Sequence, residues 1–167
     1  MPNANVSLLS GRNGAPLTPD EIRRAINTFL GLDNNVNARH EPDCVSAFWV
    51  RVDDTGARYG EVVFGPDIYP GPGVVDANSA LSLKAAAAHE LTHYHRWNDR
   101  ISLSVEGLEH IDEALTSLQA ISRYDRHLSE TDVRQLVSDA IQRLQIFVRE
   151  RAERAIPVVN PTDHLAG

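Results

Sequence analysis

The stretch His89-Glu90-Leu91-Thr92-His93 is the part of this chain whose residue types and spacing point most directly to chemistry. Side chains four apart on an α-helix lie one above the other, so imidazoles at 89 and 93 can take two corners of a tetrahedral zinc site. Glu90 is turned about 100° from His89. Its carboxylate therefore stands beside the metal, where it can take a proton from a water that the metal activates. The ordinary alternative is a pair of core histidines with everyday hydrogen-bonding partners. Against it stands the setting: two imidazoles and a carboxylate are costly on an alanine-rich buried helix unless something satisfies them, and a metal would. A catalytic zinc also needs a third protein ligand and one open position. Downstream, Glu109, His110, Asp112 and Glu113 offer donors, and spacing alone leaves the choice open.

The motif and the residues downstream of it resemble the gluzincin metallopeptidases, the thermolysin-like group in which H-E-x-x-H is followed on a later helix by a ligand glutamate. In that family the glutamate lies about twenty residues beyond the second histidine, within an N-E-A-x-S-D-like stretch. Here Asp112-Glu113-Ala114-Leu115-Thr116-Ser117 occupies that place, with Glu113 twenty residues after His93. The resemblance implies that Glu113 is the third ligand, with Glu109 and His110 as its competitors. It further implies a zinc-dependent peptidase with Glu90 as general base, acting on a peptide or protein substrate that pairs with an edge strand, for which Tyr59 to Phe64 is the candidate. The likeness covers roughly residues 79 to 121. It departs at Ser117, where the family carries an aspartate that orients the first histidine. A hydroxyl fixes the tautomer with less gain in ligand basicity, and Asp112 and Asp125 are the candidates to substitute. Hydrolysis also wants a donor for the developing oxyanion. Tyr94, His95, His110, Tyr124 and His127 are available, and Tyr124 and His127 are preferred because they end the ligand-bearing helix.

These groups need elements to hold them. Thr18-Pro19-Asp20-Glu21 combines an N-cap, a proline at the first helical position and a capping-box glutamate, which predicts a helix over residues 19 to 30. A polar loop comes next. Cys44 to Val52 and Tyr59 to Phe64, rich in β-branched and aromatic residues, flank the turn cluster Asp53-Asp54-Thr55-Gly56 and predict a hairpin. Val74 and Val75 are expected to add a short third strand. Asn78 or Ser79 caps the motif helix, which ends near Trp97-Asn98. Because small or apolar residues surround its middle, it is expected to be buried and central. A second helix runs from Val105 or Leu108 to Asp125 with the stripe Leu108, Ile111, Leu115, Leu118 and Ile121. A third, capped by Ser129 and Asp132, carries Val133, Val137, Ala140, Ile141, Leu144 and Val148. Strands precede helices, an α+β order. The resemblance makes it zincin-like: a small antiparallel or mixed sheet on a central active-site helix, with a C-terminal helical half and a cleft between.

Composition sets the outer limits. With 167 residues and 42% hydrophobic content, the chain reads as one domain, its first sixteen residues and residues 158 to 167 being expected as tails. The formal charge of −7 disfavours nucleic acid and anionic membrane surfaces as partners. No apolar run reaches a membrane span and no signal core opens the chain. A single cysteine, Cys44, permits no intrachain disulfide, which suits the cytoplasm; it is expected as a small strand hydrophobe and not as an inhibitory metal ligand. Two other readings stay open: a peptidase-like zinc-binding regulatory or partner-binding module with little turnover, and a metal-free helical interaction protein.

Overall fold

The computed structural model describes residues 11–73 and 75–155. It is an α+β fold in the order α1 (Pro19–Leu32), β1 (Ala38–His40), β2 (Ala47–Val52), β3 (Arg58–Phe64), a 3-10 turn at Pro66–Ile68, α2 (Leu83–Asn98), α3 (Glu109–Tyr124) and α4 (Glu130–Ala155). Thr18 opens α1 through a complete capping box with Glu21. The hairpin forms as expected: β2 and β3 pair antiparallel from Ala47↔Val63 to Val52↔Arg58, and Gly56 supplies the positive φ of 83° that the connecting turn requires.

The third strand is not where the apolar dipeptide pointed. Val75 lies outside any strand, and Val74 lies outside the described residues. Ala38–His40 instead joins β3 in parallel, giving the order β1-β3-β2. Two of its three side chains are polar, which hides it from a hydrophobicity reading. It is held by main-chain pairing and by Arg39, whose Nε donates to Glu61 at 2.9 Å while Arg51 reaches the same carboxylate at 3.1 Å. Tyr59 to Phe64 consequently lies in the middle of the sheet and not at its edge. Only the side of β3 beyond its pairing with β1, along Arg58–Glu61, lacks a neighbouring strand among the described residues.

The sheet lies on α2. Gly60 makes the close approach possible, because a Cβ there would sit 2.6 Å from the Phe48 ring and 2.9 Å from the Tyr94 ring. Phe48 meets Tyr94 edge-on at 6.1 Å between centroids. The rest of α2 is enclosed by α1, α3 and α4, so Ala85, Ala87, Ala88 and Leu91 are buried with Phe29, Val62, Phe64 and Leu136 in one core. Its N-cap is Ser82, whose side chain accepts from Ala85 N; Asn78 and Ser79, the expected caps, belong to the preceding loop. Ser79 Oγ there accepts from Val75 N and Asp76 N. Gly11 to Pro16, expected within a tail, are attached to this same loop region. The Arg12 guanidinium donates to the carbonyls of Asp67, Ile68, Asn78 and Leu81 at 2.5–3.2 Å. The expected tail at residues 158 to 167, with Asp163 and His164, lies outside the described residues.

The largest departure concerns which faces of α3 and α4 turn inward. Leu115 and Leu118 on α3, and Val137, Ile141, Leu144 and Val148 on α4, are exposed, whereas Thr116, Ser117, Asp132, Asp139 and Arg143 are buried. The interior side carries these polar groups beside the buried Ala114, Ala120, Leu136 and Ala140, and several of them bond to one another and to α2. Arg96, 1% exposed, donates to Asp112 at 2.6 Å and Gln119 at 2.9 Å, and Asp112 also accepts from Leu103 N, which fixes α3 against the end of α2. Among the described residues no helix is long and apolar enough to cross a membrane.

Candidate metal centre

The one-turn offset on α2 stacks His89 above His93, their ring centroids 4.7 Å apart, and α3 brings Glu113 against both. His89 Nε2 lies 3.0 Å from His93 Nε2 and 3.0 Å from Glu113 Oε2, and His93 Nε2 lies 3.3 Å from Glu113 Oε1. Ligands bound tetrahedrally at zinc distances stand about 3.3 Å apart, so the three donors already have the mutual spacing of a bound set. Each of the three residues offers one ligand atom, and these atoms lie within 4.8 Å of one another. Among the described residues this is the group of His, Cys, Asp and Glu whose donor atoms lie close enough to share an ion. His89 is buried, while the His93 and Glu113 side chains remain 17% and 26% exposed, so the cluster opens on their side.

The competing donors point elsewhere. Glu109 is exposed and accepts from Gly107 N at the start of α3, and His110 faces Glu150 at 3.5 Å. Asp112, a candidate to orient His89, is engaged by Arg96, and Asp125 is the exposed C-cap of α3. Cys44 is not a member of the cluster and lies in the bend before β2, outside the strand expected for it. Tyr124 and His127, expected near the reacting carbonyl, are correctly placed at the end of α3, but that end is remote. Eleven residues separate Glu113 from Tyr124, about 16 Å along the helix. They line a separate cleft of about 460 Å³ with Asp33, His95 and Arg123, in which His95 is bonded to Asp33 at 2.7 Å. The Tyr124 hydroxyl is buried without a hydrogen-bond partner. Neither residue therefore serves the cluster as an oxyanion donor. Tyr94 is turned to the sheet.

Two residues that sequence reasoning missed lie beside the cluster, both from α4. Asp139, 1% exposed, accepts from Ser117 Oγ at 2.7 Å, and Ser117 Oγ is 2.8 Å from His89 Nδ1. Arg143 places Nε 3.6 Å from Asp139 and Nη2 3.9 Å from Glu113. Their sole sequence signal is a four-residue spacing of opposite charges on one helix.

Burial and mutual charge set the protonation of these groups. Burial alone would lower the His93 pKa, but Glu113 and then Glu90 outweigh it and raise it to about 9. Burial alone would raise Glu113, but His93 and His89 hold it well below the usual carboxylate range. Glu90 is raised to about 7 by burial, with Glu113 and Asp67 adding to the shift and the two histidines opposing it. A metal taking His93 Nε2 at neutral pH must therefore displace a proton. Apparent metal affinity is expected to rise about tenfold per pH unit from neutrality and to level off above about 9, because the proton is the competitor and it is lost there. Chelator competition at pH 6.5, 7.5 and 8.5 measures this slope; a flat profile would show that His93 is already unprotonated.

No family model, no curated protein and no solved structure matches this chain.

Proposed function

We propose that this chain is a zinc-dependent peptidase, similar to the gluzincins and with a compact zincin-like arrangement of sheet, central helix and helical lower half. The observation that carries the reading is the convergence of His89, His93 and Glu113 at 3.0–3.3 Å with Glu90 half-buried one residue from the first ligand. When bound, zinc supplies a Lewis acid that polarises the scissile carbonyl and makes a water acidic near neutrality. His89, His93 and Glu113 would hold the ion, and the partial exposure of His93 and Glu113 would give substrate and water access to it. Glu90 takes the proton of the attacking water and passes it to the leaving amine. In the metal-free site burial raises its pKa to about 7, which makes it a stronger base than an exposed carboxylate.

Protein purified without chelators should contain about one zinc per chain, and stripping it should lower thermal stability. Metal present at a hundred times its dissociation constant stabilises by about 2.7 kcal/mol, which for a chain of this size is about 5 to 10 °C in Tm. Stripped protein should lose cleavage of a mixed peptide pool and regain it with zinc. Absence of any stoichiometric transition metal would sink the reading. Zinc retained without cleavage of any peptide would leave a zinc-binding regulatory module acting with a protein partner.

A further inference from the structure

The two imidazoles have, on their far side, polar support that a three-ligand site does not by itself require. His89 Nδ1, Ser117 Oγ and Asp139 Oδ2 form a chain of 2.8 and 2.7 Å contacts, and the three residues are 4%, 0% and 1% exposed. Asn78 Nδ2 reaches Asp139 at 3.4 Å, and Arg143 connects the far end back to the cluster through its contacts with Asp139 and Glu113. The result is a closed ring of side chains running from His89 through Ser117, Asp139, Arg143 and Glu113 to His89 again.

The direction of the bonds in this ring is settled by counting protons. A serine hydroxyl has one proton to give. Ser117 gives it to Asp139, whose other neighbours, an amide N–H and a guanidinium, are donors too. Ser117 Oγ then has only lone pairs to offer His89, so the 2.8 Å contact is a hydrogen bond only when His89 carries its proton on Nδ1. In the neutral imidazole this leaves Nε2 unprotonated and facing Glu113 and His93, the form in which an imidazole can ligate. His93 has a weaker version of the same support. Its Nδ1 is 3.5 Å from Thr116 Oγ1, whose proton goes to the neutral carbonyl of Asp112 at 2.8 Å.

We infer that Asp139, acting through Ser117 and held by Arg143, is the positioning residue that fixes the tautomer and orientation of His89. The inference rests on the proposed metal site. It also accounts for Ser117 standing where the gluzincins carry an aspartate: the carboxylate has moved to α4, and a hydroxyl bridges the gap.

The test compares Ser117→Ala, Asp139→Asn and the exchanged pair Ser117→Asp/Asp139→Ser with the parent chain. Zinc affinity is read by competition with a chromogenic chelator, and ligand geometry by the visible absorption of the cobalt(II)-substituted protein. Each single variant should weaken zinc binding by about 10 to 100-fold and shift the cobalt bands. The exchanged pair puts a carboxylate directly on His89 and a hydroxyl behind it, and should recover most of the lost affinity and the parent spectrum. Should Asp139→Asn fail to fold, Ser117→Ala, which removes one oxygen atom, decides the matter. If the parent binds zinc and both single variants match it in affinity and spectrum, the relay is wrong while the metal site stands. Exchanged-pair protein that folds but binds no better than the single variants would also overturn it. A parent that binds no metal removes the metal site itself, and the relay with it.

Discussion

Glu90→Gln is expected to keep its zinc and lose about 100 to 10,000-fold in turnover, the usual range for removing a general base. The substitution preserves the size of the side chain and its capacity for hydrogen bonding, and it leaves His89, His93 and Glu113 untouched. What it removes is a carboxylate that burial has made a stronger base than an exposed one, with a pKa near 7 before any metal charge is added. Substrate affinity should change little, so the loss falls in kcat and the variant holds its substrate long enough for capture. Cleavage at near the parent rate by zinc-loaded Glu90→Gln would show that another group takes the proton.

Glu113→Ala should weaken zinc binding by more than about 100-fold, beyond what loss of a supporting residue costs. The damage is larger than one missing ligand. Glu113 also faces Arg143 at 3.9 Å and both imidazoles, so its removal leaves a buried guanidinium and His93 without their shared counter-charge. Glu109→Ala is the control. It removes an exposed carboxylate one turn earlier that bonds only to Gly107 N among the described residues, and it should leave zinc affinity unchanged. A zinc titration giving the opposite pair of results would transfer the third ligand by one helical turn. Glu113→Gln, which fills the same volume, separates loss of charge from loss of packing.

The centre was legible in the sequence to the extent that it depends on local spacing. His89, Glu90 and His93 are related by helical geometry alone, and the alanine run before them marked α2 as interior. Glu113 was reached only through its resemblance to a known pattern, since nothing local distinguishes it from Glu109; tertiary packing does, by turning one carboxylate inward and the other to solvent. Asp139 and Arg143 were hidden for a physical reason. Periodicity reasoning assigns the apolar stripe of a helix to the core, and on α4 four members of that stripe, Val137, Ile141, Leu144 and Val148, face out while Ala140 is buried and Val133 half-buried. The inward face carries Asp139 and Arg143 beside Leu136 and Ala140, and those two charges complete a network around His89 and Glu113. Tyr124 and His127 lie at the end of the helix that carries Glu113, but about three turns separate that end from the cluster. The strand Ala38–His40 escaped because two polar residues in three leave no pattern to read, while its pairing partner across 24 positions of sequence is invisible locally.

The four carbonyls gathered by Arg12 tie the segment ahead of the first helix into the fold. Two of them, Asp67 and Ile68, come after the sheet, and the other two, Asn78 and Leu81, lead directly to the Ser82 cap of α2. Residue 12 thus clamps together the two ends of the loop that delivers the chain to the helix carrying His89 and His93, although it precedes the first helix by several residues. A protease that trims the chain up to residue 10 leaves that clamp whole. A cut between residues 13 and 19 detaches it, so a fragment that starts at the first helix should be less stable than one that keeps Arg12.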